Sequence, residues 1–322
     1  MKLQVFVARG KKISNVVVLM LLLLVLLNPS IHALEDSEDV KTQSSIPWWL
    51  WSLLLFVLCI LLGIIAIITG VGGGILYVPI ISAISPFHLD FVKGSGLVVA
   101  LAGAIGASPR LLEKGMASLR LALPLAFFSS IGAFIGATVG MALPSRIVEF
   151  ILGIVIIAII ALMLSTKSID CPPFRGGSLL ARRMNIGGIY IDEITGKSME
   201  WGIRRMPLGL IIFFIIGLMG GVFGLGSGWA NVPTLNLLLG VPLKIAAATS
   251  ILIITITTAT ASWVFINQGA IVPIIVVPSM AGMMLGTHIG AKILPRISRS
   301  IVRYSILGIL VFAALSLLLK LA

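Results

Sequence analysis

Two glycine-rich stretches interrupt apolar sequence that is otherwise long enough to form membrane helices. They run from Gly70 to Pro79 and from Gly224 to Pro233, and their glycines cluster at 72–74 and 226–228. Glycine readily breaks a helix, and the helix that begins after the break exposes peptide N–H groups. Each such N-terminus carries about half a positive charge and favours anions. The pattern predicts a binding site for a small anion, built from both stretches.

Polar side chains near both stretches add further candidate ligands. Ser95 and Thr249 occupy matching places on the long apolar segments that follow, and Asn231 lies in the second stretch. Hydroxyl and amide groups can donate hydrogen bonds to an oxyanion, and Lys93 can supply a full positive charge. The candidate substrate-binding residues are Gly72, Gly73, Gly74, Lys93, Ser95, Gly226, Ser227, Gly228, Asn231, Thr249 and Ser250.

Several of these side chains have a structural interpretation as well. Hydroxyls in lipid-embedded helices commonly bond to carbonyls of their own helix. Lys93 closely follows His88 and Asp90, so its ammonium can instead reach the outer membrane interface. Glycines can also serve close helix packing, which is the expected role of Gly132, Gly136, Gly286 and Gly290.

His288 lies within another apolar segment that is long enough to span a membrane. An ionisable side chain inside a membrane is a candidate for a functional role, here proton coupling. The alternative is a histidine held by hydrogen bonds in a structural role. The sequence leaves both interpretations open.

The composition identifies the kind of chain that must position these residues. Of its 322 residues, 59% are hydrophobic and only 11% are charged, which indicates a polytopic membrane protein with the lipid bilayer as a partner. The formal net charge of +12 comes mostly from Lys and Arg at the ends of apolar segments, so no nucleic-acid partner is implied. Cys59 and Cys171 fall in different environments, and we expect no disulfide, metal site or cofactor.

The chain divides into four parts. Residues 1–45 contain a basic start, an apolar run and an acidic stretch, which fit either a signal peptide or a first membrane helix followed by an extracytoplasmic linker. Residues 46–165 and 207–322 each hold five apolar segments. The basic region 166–206 between them is predicted to be cytoplasmic, with a β-hairpin at 188–197.

The two sets of segments form an internal repeat. Positions 70 and 224 differ by 154, and without a gap the same offset aligns Val78-Pro79 with Val232-Pro233 and Pro124 with Pro278. Because each repeat has an odd number of segments, the two copies must have opposite orientations in the membrane. The short segments Ile75–Ile84 and Trp229–Leu239 would each cover roughly 15 Å, about half of a membrane. We therefore expect an all-α fold of two inverted repeats whose glycine-broken half-helices meet at the midplane.

The motifs resemble those of the sulfite exporter TauE/SafE family. The second repeat has a glycine-rich run at 224–228, the Val232-Pro233 pair, the Gly240-Val241-Pro242 turn and the Ala246–Ser250 run, and the first repeat keeps the glycine run and Val78-Pro79. The resemblance covers about residues 48–322. It implies a multi-pass plasma-membrane permease that moves sulfite, sulfonates or related anions, usually outward.

Other functions remain to be weighed against a secondary carrier with alternating access. An anion channel or a membrane assembly factor could use the same scaffold, and a homo-oligomer is compatible with any of them. An intramembrane serine hydrolase would need Ser227 and His288 as nucleophile and base, but the outer glycines of a G-x-S-x-G elbow are missing. Since Ser227 aligns with Gly73, the repeat does not require a nucleophile there. The sequence therefore predicts a transporter and not an enzyme.

Overall fold

The computed structural model describes residues 48–84, 89–143, 186–191 and 198–297, together with single positions between 154 and 161 and between 301 and 311. The predicted N-terminal part, 1–45, lies outside the described residues, as do most of Ile147–Leu164 and Ile301–Leu319. The first repeat contains α1 (Trp48–Thr69), α2 (Gly74–Ile84), α3 (Leu89–Glu113) and α4 (Leu119–Ala142). The second contains α5 (Met206–Phe223), α6 (Gly228–Pro233), α7 (Leu243–Asn267) and α8 (Pro273–Ile293).

Six helices of the described part are long and apolar enough to cross a membrane, namely α1, α3, α4, α5, α7 and α8. The prediction of an all-α multi-pass membrane protein is therefore confirmed. That the glycine-broken half-helices lie at the membrane midplane stays a prediction.

The breaks form where glycine adopts a left-handed backbone. α1 ends at Thr69 before Gly70, which has φ +68°, and α5 ends at Phe223 before Gly224, which has φ +67°. A residue with a Cβ rarely adopts this conformation. Each helix consequently stops at the same place in its repeat, and a short helix follows.

The second short helix changes type partway along. α6 is α-helical to Pro233 and continues as a π-helix over Thr234–Leu238. Pro233 lies where the helix type changes and has no N–H to donate to the carbonyl four residues earlier. Its equivalent, Pro79, lies within α2 without such a change, so proline alone does not cause the π-helical turn.

The two repeats interlock through their outer helices. α4 packs along α5 and α8 packs along α1, with glycines against the backbone of the facing helix. At the offset of 154 these contacts correspond one to one, because Gly132 faces Phe214 O as Gly286 faces Ile60 O, and Gly136 faces Leu218 O as Gly290 faces Ile64 O. The packing role expected for these four glycines is confirmed.

The central helices α3 and α7 are equivalent in the two repeats and pack against each other. Near the start of α3, Gly94 approaches Phe265 near the end of α7. Towards the end of α3, Ser108 Oγ lies 3.1 Å from Thr255 Oγ1, which is nearer the middle of α7. The two helices therefore run antiparallel, which supports the predicted inverted relation.

A small hairpin precedes the second repeat. Its strands are β1 (Gly187–Ile191) and β2 (Ser198–Gly202), which pair antiparallel with Gly187 opposite Gly202. The prediction of a hairpin is confirmed, but its second strand lies beyond the predicted range of 188–197. Trp201 on β2 is buried. The alternation of apolar and polar residues in the sequence does not reveal this burial.

Candidate functional site

The two glycine breaks lie directly against each other. A Cβ added to Gly74, the first residue of α2, would meet the carbonyl oxygen of Leu225. A Cβ added to Gly228, the first residue of α6, would meet the carbonyl oxygen of Val71. At the offset of 154, Gly74 corresponds to Gly228 and Val71 to Leu225, so these are one contact made twice. The predicted meeting of the two interrupted segments is observed.

A second reciprocal contact surrounds the first. Gly70 packs against the backbone of Ala247, and Gly224 packs against the Cα, Cβ and Cγ of Lys93. Ala247 and Lys93 are again equivalent positions in the repeat. Each break is therefore held against the central helix of the other repeat, and both repeats contribute to one region.

This packing gives the glycines a role that the sequence did not predict. We expected small residues at Gly74 and Gly228 so that an anion could approach the backbone. The structure instead fills the space beside both Cα atoms with the carbonyl of the opposite break. Glycine is required there because two backbones touch, so any ligand must lie alongside this contact.

Two of the candidate hydroxyls bridge the repeats. Ser250 Oγ donates a 2.6 Å hydrogen bond to the carbonyl of Gly70, and Thr249 Oγ1 accepts a 3.2 Å bond from the N–H of Ser118. Neither bond goes to a carbonyl of the side chain's own helix. Ser95 is also buried.

Lys93 is buried, and its ammonium is paired. Its Nζ lies 3.4 Å from Asp90 Oδ1, one turn earlier on α3. The ammonium therefore points back towards the start of α3, as the interfacial interpretation expects, while the stem of the side chain packs on Gly224. Because the Asp90 carboxylate is paired with this ammonium, Lys93 brings no net positive charge to the second break.

Buried polar atoms without a protein partner occur in α6, which begins at the second break, and on the helices α7 and α4. Asn231 Nδ2 donates a 3.2 Å bond to Ser227 Oγ, but Asn231 Oδ1 has no partner, and neither has Trp229 Nε1. Thr257 Oγ1 and Ser129 Oγ are likewise buried and unpartnered. Most buried polar atoms in proteins are hydrogen-bonded, so such a group calls for an explanation, and a bound ligand is one.

Thr257 lies on α7, which packs on α6, and Ser129 lies on α4, which packs on α5 and α7. Thr257 adjoins Thr258, whose Cγ2 lies 2.9 Å from the place of a Cβ on Gly226. Ser129 packs its backbone on Gly217 of α5, and one turn further along Gly220 packs on the backbone of the break.

The first break is covered by a different side chain. The Cε and Sδ atoms of Met283 approach Gly73, and Met283 Cγ approaches Gly103. At the offset of 154, Met283 corresponds to Ser129, Gly73 to Ser227 and Gly103 to Thr257. The first break therefore has a thioether and two glycines at three positions whose equivalents for the second break are the hydroxyl residues Ser129, Ser227 and Thr257.

His288 does not join this region. Its Nε2 lies 3.0 Å from Arg110 Nη1, and its side chain is exposed on the surface of the helix bundle. Because a guanidinium only donates, Nε2 must accept this bond, which requires the tautomer without a proton on Nε2. His288 is five residues from the end of α8 and five residues from its midpoint at Met283. The described residues contain no cluster of His, Cys, Asp and Glu that could hold a metal ion.

The sequence missed three residues of this region. Ser129, Thr257 and Met283 lie on long apolar segments, where single hydroxyls and methionines attract no attention. The internal repeat contained the signal, because a Met aligned with a Ser at equivalent core positions marks a place where the two copies differ in chemistry. The unpartnered N–H of Trp229 could not be foreseen from the sequence.

A bundle of membrane-length helices around two buried, interrupted segments is the architecture of a multi-pass membrane transporter. Comparison with known proteins gives the family. The chain belongs to the sulfite exporter TauE/SafE family, whose profile matches residues 54–317.

Two curated relatives come from Bacillus subtilis strain 168. The probable membrane transporter protein YunE is 27% identical over 250 residues, which cover 74% of this chain and 88% of the relative. The probable membrane transporter protein YdhB is 19% identical over 246 residues, covering 74% and 89%. No solved structure matches the chain significantly. The chain is a membrane transporter with a small-molecule substrate, and not an enzyme.

Proposed function

We propose that the protein is a secondary transporter, working as an exporter, of a small sulfur-containing anion such as sulfite or an organosulfonate. The observation that carries this proposal is the set of buried, unpartnered polar atoms in α6, Trp229 Nε1 and Asn231 Oδ1, together with those of Thr257 and Ser129 on the neighbouring helices α7 and α4. The family description supplies the substrate class and the outward direction. The site itself argues for an oxyanion, because an indole N–H only donates and hydroxyls readily do so.

The backbone adds to the attraction. α2 and α6 begin at the two breaks, and their aligned peptide dipoles favour negative charge at their N-termini by about 0.3–1 kcal/mol each, and up to ~2 when partly buried. α6 and its π-helical continuation together match the length of α2. The proposed site therefore comprises the second break, 226–228, the side chains of Asn231, Trp229, Thr257 and Ser129, and the facing break, 72–74.

Alternating access is the proposed mechanism. Two copies of one fold that meet at a shared contact can exchange which side of the membrane reaches the site. The reciprocal contacts of Gly74 with Leu225 and of Gly228 with Val71 support this proposal, because they join equivalent positions of the two copies. We place this contact near the membrane midplane.

Transport in proteoliposomes tests the function. We expect saturable uptake of radiolabelled sulfite and accelerated exchange when unlabelled sulfite is loaded on the other side. Flux that rises in proportion to concentration, without counterflow, would instead support an anion channel. Absence of any anion flux under both conditions would favour an assembly factor.

The contacts of Ser227 and His288 do not support the alternative of a serine hydrolase. Ser227 Oγ accepts a bond from Asn231, while His288 bonds to Arg110 on an exposed surface. These two side chains do not form the hydrogen-bonded pair that nucleophilic catalysis needs. His288 bonds to Arg110, so any role of His288 in proton coupling would involve Arg110.

That the protein forms a homo-oligomer stays a prediction.

A further inference from the structure

The charged groups beside the proposed site nearly cancel. Among the described residues, the buried charged side chains are Lys93 and Lys244. Lys93 is paired with Asp90, and Lys244 donates to the carbonyl of Pro295, roughly 20 Å along α7 from Thr257. The groups left to meet an anion at the second break are neutral.

Neutral donors discriminate between anions of different charge. The free energy needed to remove an ion from water rises with the square of its charge, as in the Born description, whereas its attraction to fixed dipoles rises only in proportion. A buried site made of hydroxyls, an indole N–H and peptide dipoles therefore favours a singly charged anion. A doubly charged anion would need a compensating positive side chain.

The contact between the two breaks acts in the same direction. The carbonyl oxygens of Val71 and Leu225 lie in that contact, each against the Cα of the opposite glycine. Their partial negative charges repel an anion, and the repulsion grows with the charge of the ligand. Asn231 Oδ1 is an unpartnered acceptor that could take a proton-bearing group of the ligand.

We infer that this site accepts singly charged oxyanions, such as hydrogensulfite or a sulfonate, and rejects doubly charged ones such as sulfite and sulfate dianions. This inference rests on the proposed function and specifies the charge of its substrate. Trp229, Thr257 and Ser129 are the neutral donors, and the pairing of Lys93 with Asp90 removes the charge that a dianion would need.

The pH dependence of transport tests this inference. Proteoliposomes containing the full chain receive a fixed total of labelled sulfite, below saturation, at several external pH values across the second ionisation of sulfite. Methanesulfonate, which stays singly charged, is the control for effects of pH on the protein. We expect sulfite uptake, divided by methanesulfonate uptake, to fall about tenfold for each pH unit above that ionisation.

A ratio that stays constant or rises with pH would overturn the inference while leaving sulfur-anion transport intact. Sulfate that competes as strongly as methanesulfonate would overturn it too. If neither labelled anion is taken up at any pH, the proposed function itself fails, and the inference with it.

A pair of variants tests the charge argument by itself. Asp90→Asn leaves Lys93 without its carboxylate, so we expect sulfate to compete several-fold better relative to methanesulfonate. The double variant Asp90→Asn with Lys93→Met removes both charges and should restore the preference of the unmodified protein. Unchanged competition in properly folded Asp90→Asn protein would show that Lys93 does not influence the site.

Discussion

The two glycine breaks have the same backbone conformation but different surrounding side chains. Both have left-handed glycines at equivalent positions, and each packs on the other through the same carbonyl contact. The first break is covered by the thioether of Met283, and its Gly70 carbonyl accepts a bond from Ser250. The helix that begins at the second break has an amide and an indole with unpartnered atoms, and the neighbouring helices α7 and α4 have unpartnered hydroxyls. The repeat thus supplies a symmetric scaffold with asymmetric chemistry.

The difference shows which parts of a repeat are constrained by geometry. Backbone contacts between the two copies depend on both partners at once, so a change at Gly74 or Gly228 affects the fold. Side chains beside the contact are free to differ, and here they differ between apolar and polar. Substrate recognition is therefore expected to depend on the second break more than on the first.

The largest effect is expected where the symmetric contact itself is disrupted. In Gly228→Ala, the new Cβ would meet the carbonyl of Val71, which has no room to move because the opposing backbone is packed in turn. Overpacking of this kind costs about 1–3 kcal/mol or more, so we expect poor yield and a strongly lowered Tm in detergent. Gly308→Ala, where nothing lies within 4 Å of the new Cβ, is the control. Normal stability of Gly228→Ala would mean that the breaks do not touch.

Because such variants are expected to lose stability, glycine variants reveal little about anion binding. Loss of flux in Gly74 or Gly228 variants follows from lost packing whether or not an anion binds there. The side chains beside the second break give a cleaner test, since they can be changed without altering the backbone contact.

The second prediction concerns the unpartnered indole. Trp229→Phe keeps most of the apolar contact but removes the Nε1 donor, so we expect the apparent affinity for sulfite to fall by about 5–150-fold, corresponding to ~1–3 kcal/mol. Folding should change little, because that donor has no protein partner. Trp263→Phe, at an exposed tryptophan of α7, is the matched control. Equal affinity in both variants would remove Trp229 from the site.

The comparison of the two breaks also shows which features of the fold and of the site the sequence predicts. The register of glycines and prolines at the offset of 154 predicts the repeat, the short helices and their meeting, because backbone geometry depends on residue types that are visible in the sequence. It does not predict that Gly74 and Gly228 touch carbonyls, since a glycine that admits a ligand and one that admits a backbone look the same. The pairing of Lys93 with Asp90 was open for a similar reason, because the direction of a long side chain depends on its neighbours in three dimensions.

The third prediction tests the chemical difference between Met283 and Ser129. Ser129→Ala removes a buried, unpartnered hydroxyl and should reduce the apparent affinity for sulfite several-fold, in line with about 0.5–1.5 kcal/mol for one hydrogen bond. Met283→Leu keeps an apolar cover over Gly73 and should leave that affinity nearly unchanged. Transport assays on both variants, with Tm measured alongside, separate affinity from folding. A larger loss of affinity in Met283→Leu than in Ser129→Ala would reverse the assignment of the two breaks.

The smallest effect is expected at the hydrogen bond that steadies the first break. Ser250 Oγ donates to the carbonyl of Gly70, but its equivalent in the first repeat is Gly96, which has no side chain to steady the second break in the same way. Ser250→Ala should lower stability by about 1 kcal/mol, measured as a modest fall in Tm, because the Gly70 carbonyl loses a buried partner. We expect the affinity for sulfite to stay close to that of the unmodified protein, since the lost bond belongs to the break that Met283 covers. If Ser250→Ala instead weakens binding as much as Trp229→Phe, both breaks bind the anion, and the asymmetry seen in the side chains has no counterpart in recognition.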